Sequence, residues 1–207
     1  MEFKYAIPPT LLDNFVRFKK YDDEGSLSEL MDKLNRIPRE KTEENEKGIL
    51  FETVINSAID GINIEHEFDG ELVNYISSKL SRCISKQKYI EAIIITKKGN
   101  VKLYGIFDYE FPEMIADLKT LKSYSIADGR KHFQDKSQHR FAFAIANRNG
   151  KPLRQFNYLA TNFRNRFIET YMNEEKHIKS LHEDLLDFIG FIEHFKKHID
   201  NPKLFGL

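Results

Sequence analysis

Asp108, Asp117 and Lys119 are the residues of this chain whose types and spacing speak most directly of chemistry. They lie in the run Gly105-Ile106-Phe107-Asp108-Tyr109-Glu110-Phe111-Pro112-Glu113-Met114-Ile115-Ala116-Asp117-Leu118-Lys119-Thr120. Side chains on a strand alternate between faces, so Asp117 and Lys119 point the same way while Leu118 points oppositely, into the core. Asp108 ends the preceding strand, and a hairpin turn brings it back beside Asp117. Two carboxylates then share a sheet edge with one ammonium group. Like charges that close are unfavourable unless a cation sits between them, so the pattern invites a hard divalent ion bound through oxygen, Mg2+ first. An aspartate ahead of Asp-x-Lys also arises by chance in a charge-rich chain. What weighs against chance is the setting: Ile115, Ala116 and Leu118 make the strand a buried one, where acidic residues need a partner or a role.

Other candidates carry less. His194 and His198 stand four apart on a helical stretch, a spacing that can hold a metal, but no acid-rich motif accompanies them and a solvated face is the better reading. Cys83 is the only cysteine, which excludes an internal disulfide and any all-cysteine zinc or iron–sulfur site. Seventeen phenylalanines and nine tyrosines are mostly core, with Tyr104, Tyr109, Tyr124 and Phe133 near enough to the acidic pair to serve as stacking platforms for bases.

The elements that must position this group follow from periodicity. Pro8-Pro9-Thr10 reads as a proline turn with a threonine cap, opening a helix with Leu11, Leu12, Phe15 and Phe18 inward. A second helix spans about Ser26 to Leu34, and the polar stretch Arg36 to Lys47 connects it to a third, from about Glu43 to Asp60, closed by Gly61. A fourth runs from about Gly70 to Ile84. Isoleucine-rich Tyr89 to Thr96 then signals extended chain, Lys97-Lys98-Gly99-Asn100 a hairpin turn, and Val101 to Asp108 the returning strand. A turn at Tyr109 to Pro112 leads to a third strand, Glu113 to about Thr120. Gln134 to Ala146 reads as helix, Arg154 to Ala160 as strand, and Asn162 onward as helix. The stripe Ile178, Leu181, Leu185, Phe188, Ile192, Phe195 and Ile199 fits either a seam between chains or, with Leu186, Ile189 and Phe191 widening it, the chain's own core, which is the preferred reading. The expected fold is α/β: a small mixed sheet of three antiparallel strands plus at least one more, flanked by helices, with extra N- and C-terminal helices.

Thirty-two basic and thirty-two acidic residues cancel overall. The sum hides an asymmetry, since residues 119–166 hold eleven basic side chains against Asp128 and Asp135, a local charge of +9. Screening makes the local field matter more than the total, so a polyanion remains a possible partner, although a solvated surface of unrelated cations fits the count equally well. No run of apolar residues is long enough for a membrane span, the start lacks the pattern of a secretory signal, and a cytoplasmic place is expected.

The residues so far quoted resemble the PD-(D/E)XK nuclease superfamily, and within it the RecB-type and phage exonuclease-like branch. The resemblance covers nearly the whole chain. Ile7-Pro8-Pro9-Thr10-Leu11-Leu12 is similar to the opening before the first helix. Gly48-Ile49-Leu50-Phe51-Glu52 looks like the Gly-x-x-Phe-His/Glu helix, Gly105 to Asp108 like the second motif, Asp117-Leu118-Lys119-Thr120 like the third, and Gln138-His139-Arg140-Phe141 like the helix motif that follows. Ala142 stands where a tyrosine is typical, and a cluster of four cysteines is missing. The resemblance implies a restriction-endonuclease-like core at 46–162 in a single domain, with helical parts at 1–45 and 163–207. It implies Mg2+, with Mn2+ able to substitute, held by Glu52, Asp108, Asp117 and the Leu118 carbonyl, with no iron–sulfur cluster. Lys119 would orient a water and stabilise developing charge. Gln138 would lie near DNA or the site, while His139 and Arg140 either touch phosphate or cap a solvated helix face. Lys122, Arg130 and Lys131 are the further DNA contacts expected, and Ser123 to Phe133 a loop placed to cover substrate. The implied activity is a Mg2+-dependent deoxyribonuclease, an exonuclease of phage or prophage type in recombination or DNA processing. An inactive nucleic-acid-binding module of the same fold and a structural or interaction protein are the alternatives.

Overall fold

The computed structural model describes residues 2–124 and 131–206. Strand β1 (Tyr5–Ile7) leads into helix α1 (Pro9–Tyr21), whose first position suits proline's fixed φ and whose end turns left-handed at Asp22. Helix α2 (Glu24–Leu34) starts on the Asp23 side chain, which accepts from the Ser26 N–H. Helix α3 (Glu43–Ile59) starts on Thr42, which accepts from Asn45 N–H, with Glu43, Glu44 and Glu46 opposing the positive end of the helix dipole. Gly61 follows at φ 72°, the left-handed conformation that closes helices. Helix α4 (Gly70–Leu80) is capped by Asp69.

Strands β2 (Ser85–Thr96) and β3 (Gly99–Phe111) form the expected hairpin, and β4 (Met114–Thr120) returns along β3 after a tight turn. Helix α5 (Gln138–Arg148), strands β5 (Gln155–Thr161) and β6 (Arg166–Met172), and helix α6 (Glu175–Phe195) complete the order, with a short 3-10 turn at Lys196–His198. The sheet runs β1-β3-β4-β5-β6, with β2 along β3. It is mixed: β1 lies parallel to β3 and β4 parallel to β5, and the remaining pairs are antiparallel.

Two layers of helices cover this sheet. Helices α1, α2, α5 and α6 bury Phe15, Leu30, Phe141, Phe143, Phe188 and their neighbours against Val101, Leu103, Phe107, Ile115, Phe156 and Tyr158. Helices α3 and α4 bury Phe51, Val54, Ile55, Leu72 and Ile76 against Tyr109, Ala116, Leu118 and Leu159 on the other face. Each phenylalanine so buried contributes about 1.5–3 kcal/mol. Central α5 is buried from His139 through Ala146 without a break, as a helix between sheet and outer helix should be. The α6 stripe Leu181, Leu185, Phe188, Ile189 and Ile192 packs on this same core. Among the described residues, no helix is long and apolar enough to cross a membrane.

Four expectations need correction, and one strand stands where the sequence marks none. Tyr5–Ile7 is a strand, because Tyr5 and Ile7 point into the core while the backbone pairs with β3. The chain from Asn162 to Met172 is not helix, which begins only at Glu175: the Asn162 side chain accepts from the N–H groups of Arg164 and Asn165, and this turn folds β6 back on β5. Helix α5 begins at Gln138 and not at Gln134, and α4 ends at Leu80, before Ile84. The turn placed at Tyr109 to Pro112 is shorter, since Tyr109 to Phe111 still pair with β4.

Candidate active site

Strands β3 and β4 pair only over Tyr109–Phe111 with Met114–Ala116. Beyond that they fork, and Asp108 and Asp117 are the first residues of the two prongs. The Asp108 carboxylate fills the gap, its Oδ2 accepting from the Leu118 backbone N–H at 2.9 Å. Phe107 packs with the α5 layer but Tyr109, two residues on, packs with α3 and α4. The strand therefore changes face at Asp108.

Asp117 is 1 % exposed. Its Oδ1 accepts from the Gln138 amide, and its Oδ2 meets the Lys119 ammonium at 2.5 Å. That ion pair is the one contact of this buried oxygen with a donor group among the described residues. Burial, opposed by Lys119 and reinforced by Asp108, pushes the Asp117 carboxyl up to about 7. Burial alone would lower the Lys119 pKa, yet Asp117 first, then Asp108 and Asp13, hold it above the ordinary lysine value. Gln138 owes its position to α1: Asp13 accepts from the Ser137 N–H at 2.6 Å and so fixes the first turn of α5.

Glu52 approaches from α3. Gly48, one turn earlier, lets that helix lie against the end of β4, since a Cβ there would stand 2.6 Å from Thr120 Oγ1. Glu52 is half-buried, and burial followed by the charge of Asp108 raises its pKa. Gln87 on β2 donates to Glu52 Oε1 at 2.8 Å and to Asp108 Oδ1 at 3.3 Å, bridging the two carboxylates. The buried Tyr109 hydroxyl, with no hydrogen-bond partner, lies within the field of Asp108, Glu52 and Asp117.

The structure thus brings together Glu52, Asp108, Asp117, Lys119, the Leu118 backbone and Gln138. It separates others from them. His139 is fully buried on α5, with Nδ1 3.2 Å from the Tyr158 hydroxyl and its ring stacked on Tyr171. Arg140, 5 % exposed, binds Asp184 at 2.7 Å, Ser180 and Ser137. Neither lies on a solvated face, because α5 is central and both residues tie it to its neighbours. Lys122 is exposed and paired with Glu44 at 2.6 Å, and Lys131 donates to the Thr170 carbonyl. Arg130 lies outside the described residues, as does most of the loop expected over Ser123 to Phe133. The cationic third is dispersed: Arg148 donates to the Ile93 carbonyl, while Arg166 stacks on Tyr75. Tyr109 and Phe133 are core side chains and offer bases no platform. Gln87 has no signature of its own. Counting back from the Lys97-Lys98 turn, however, places it between Lys86, opposite Tyr109, and Lys88, opposite Phe107, and so across from Asp108.

An all-oxygen donor set suits a hard divalent cation, and the buried Asp117 Oδ2, held by Lys119 beside the Asp108 prong, fits one. As the side chains stand, no three His, Cys, Asp or Glu groups among the described residues converge on one ion. Gln87 and Lys119 hold the oxygens that such an ion would take.

No protein-family model matches the chain, and no curated protein matches it significantly. Among solved structures, a candidate exonuclease from Eubacterium rectale superposes with a TM-score of 0.60 at 14% identity, over 95% of this chain and 83% of that one. The protein SSO0001 superposes with a TM-score of 0.55 at 12% identity, over 92% of this chain and 78% of its own. At such identities the likeness is one of fold: this chain has the mixed, helix-flanked sheet of those two proteins.

Proposed function

We propose that this chain is a divalent-cation-dependent nuclease of the PD-(D/E)XK type that hydrolyses phosphodiester bonds in DNA. It acts from ends before it acts internally, in recombination or DNA processing of the kind phages and prophages use. The observation that carries this reading is Asp117: a carboxylate driven into the protein interior at a strand fork, beside a second carboxylate and a lysine two residues on. Such a group is unfavourable to the fold and is kept where chemistry needs it. The exonuclease description of the Eubacterium rectale protein, over nearly the whole chain, supports the same reading.

Asp108, Asp117 and the Leu118 carbonyl would hold Mg2+ or Mn2+, with Glu52 completing the set. When bound, the ion would acidify a water and offset charge on the phosphoryl oxygens. The remaining work falls to this chain's own residues. Lys119, a compact cation with three donors, orients the attacking water and stabilises charge at the scissile phosphate. Gln138 keeps the Asp117 plane fixed, and the Leu118 N–H fixes Asp108, so that neither carboxylate must reorganise during reaction.

The test is incubation of the protein with linear and circular DNA, with Mg2+ and then with a chelator. Chelator-sensitive loss of linear DNA alone supports the exonuclease. Cutting of both forms makes it an endonuclease, and retardation without cutting makes it a binding module and overturns the proposal. An RNA arm of the same experiment decides the sugar.

A further inference from the structure

Gln87 is the residue of the site that the proposed chemistry does not use. It lies on β2 between Lys86 and Lys88, directly across from Asp108. Its backbone adopts φ 51°, a left-handed conformation that favours glycine and that a straight-chain residue enters only when its surroundings compel it. From that backbone the side chain reaches the two carboxylates. A primary amide nitrogen carries two hydrogens, and Gln87 gives one toward Glu52 and one toward Asp108. The opposite orientation of the amide would set its oxygen against two anions, so the acids themselves dictate which way it faces. Among the described residues, no other side chain donates a hydrogen bond to Glu52 or to Asp108 Oδ1.

We propose that Gln87 is a cation placeholder: its amide holds Glu52 and Asp108 together in the metal-free protein and gives way when the divalent ion arrives. This rests on the reading of the site as a metal-dependent nuclease centre. The two amide hydrogens offset only part of the repulsion between two carboxylates, whereas a divalent ion offsets it fully. The exchange therefore runs toward the metal, but from a metal-free state that is already satisfied. Affinity is lowered by whatever the amide contacts contribute, because they are lost on binding. Gln87 is exposed, and its neighbours Lys86 and Lys88 are the residues that pair with Tyr109 and Phe107 of β3.

Calorimetric titration of Mn2+ into the parent, Gln87→Ala and Gln87→Gly, without DNA, tests this. The expected result is tighter Mn2+ binding in both variants, on the order of tenfold or more for the loss of two amide contacts to charged groups. Melting of the metal-free protein should fall in Gln87→Ala and recover in Gln87→Gly, where the left-handed backbone is unstrained. Equal or weaker Mn2+ binding in Gln87→Gly, with normal binding by the parent, overturns the placeholder role and leaves the nuclease reading standing. A parent that takes up no Mn2+, or takes it up equally well as Asp117→Asn, sinks the nuclease reading itself.

Discussion

Replacing Asp117 by asparagine should make the metal-free protein more stable while abolishing the nuclease activity proposed for it. The carboxyl is 1 % exposed and is raised from the ordinary 3.8 to about 7. For a raised carboxylate the folded state binds the extra proton, so stability falls as pH climbs from about 4 to about 7 and stays low above that window. A shift of this size corresponds to roughly 4 kcal/mol against the folded state at pH 8. The Lys119 ion pair and the Gln138 hydrogen bond are already part of that shift, and asparagine loses the first while keeping an acceptor for the second. Lys119 is one-third exposed, so once unpaired it can turn to water. A net gain of about 1–3 kcal/mol at pH 8, shrinking toward zero near pH 4, is what remains. For a chain of this length that is a rise in melting temperature on the order of 5 °C. Denaturant unfolding of both proteins at pH 4.5 and pH 8, in chelator, measures it. If Asp117→Asn is less stable than the parent at pH 8, Asp117 is a structural ion-pair partner and the reasoning from burial fails.

Three further outcomes follow from the geometry. Lys119→Met should leave the fold intact but cut the proposed DNA hydrolysis by two orders of magnitude or more, measured with saturating Mg2+; a variant as fast as the parent removes the lysine from the chemistry. Burial pushes the His139 pKa down to about 2, so the folded protein keeps it neutral while the unfolded chain protonates it near 6.5. Its stabilising contribution is therefore complete above that pH and lost as pH falls, with a slope of up to about 1.4 kcal/mol per unit. Unfolding midpoints between pH 7 and 4.5 should fall less steeply in His139→Gln by about one proton. Arg140→Ala leaves Asp184 only Lys19, 3.7 Å away, and removes the bonds to Ser180 and Ser137; it should destabilise by about 1–3 kcal/mol while leaving the proposed DNA binding of the folded protein unchanged in a retardation assay.

Much of this site is legible along the chain because its signals are local. Asp117-Leu118-Lys119 sits in a run apolar enough to mark a buried strand, the Lys97-Lys98-Gly99 turn sets the β2–β3 register, and Glu52 rides on the same helix as buried Phe51. What escapes depends on partners distant in sequence. Nothing near His139 and Arg140 tells that α5 is enclosed on every side, since that depends on α6 and β6 closing over it. Tyr5–Ile7 is too short to show a period and becomes a strand only because β3 has a free edge there. Residues after Asn162 mix turn formers with β-branched and aromatic side chains, and the asparagine that caps a helix elsewhere here folds a hairpin. Gln87 is visible only once register is counted across the hairpin, because its role lies in what stands opposite it.

The central claim is that two forking strands deliver two carboxylates to one divalent ion. Anomalous diffraction from a crystal soaked in Mn2+ tests it most directly. The expected result is a single strong peak at about 2.0–2.4 Å from oxygens of both Asp108 and Asp117, with Lys119 no longer on Asp117 Oδ2. No peak at the fork, with Lys119 still clasping Asp117, would contradict it.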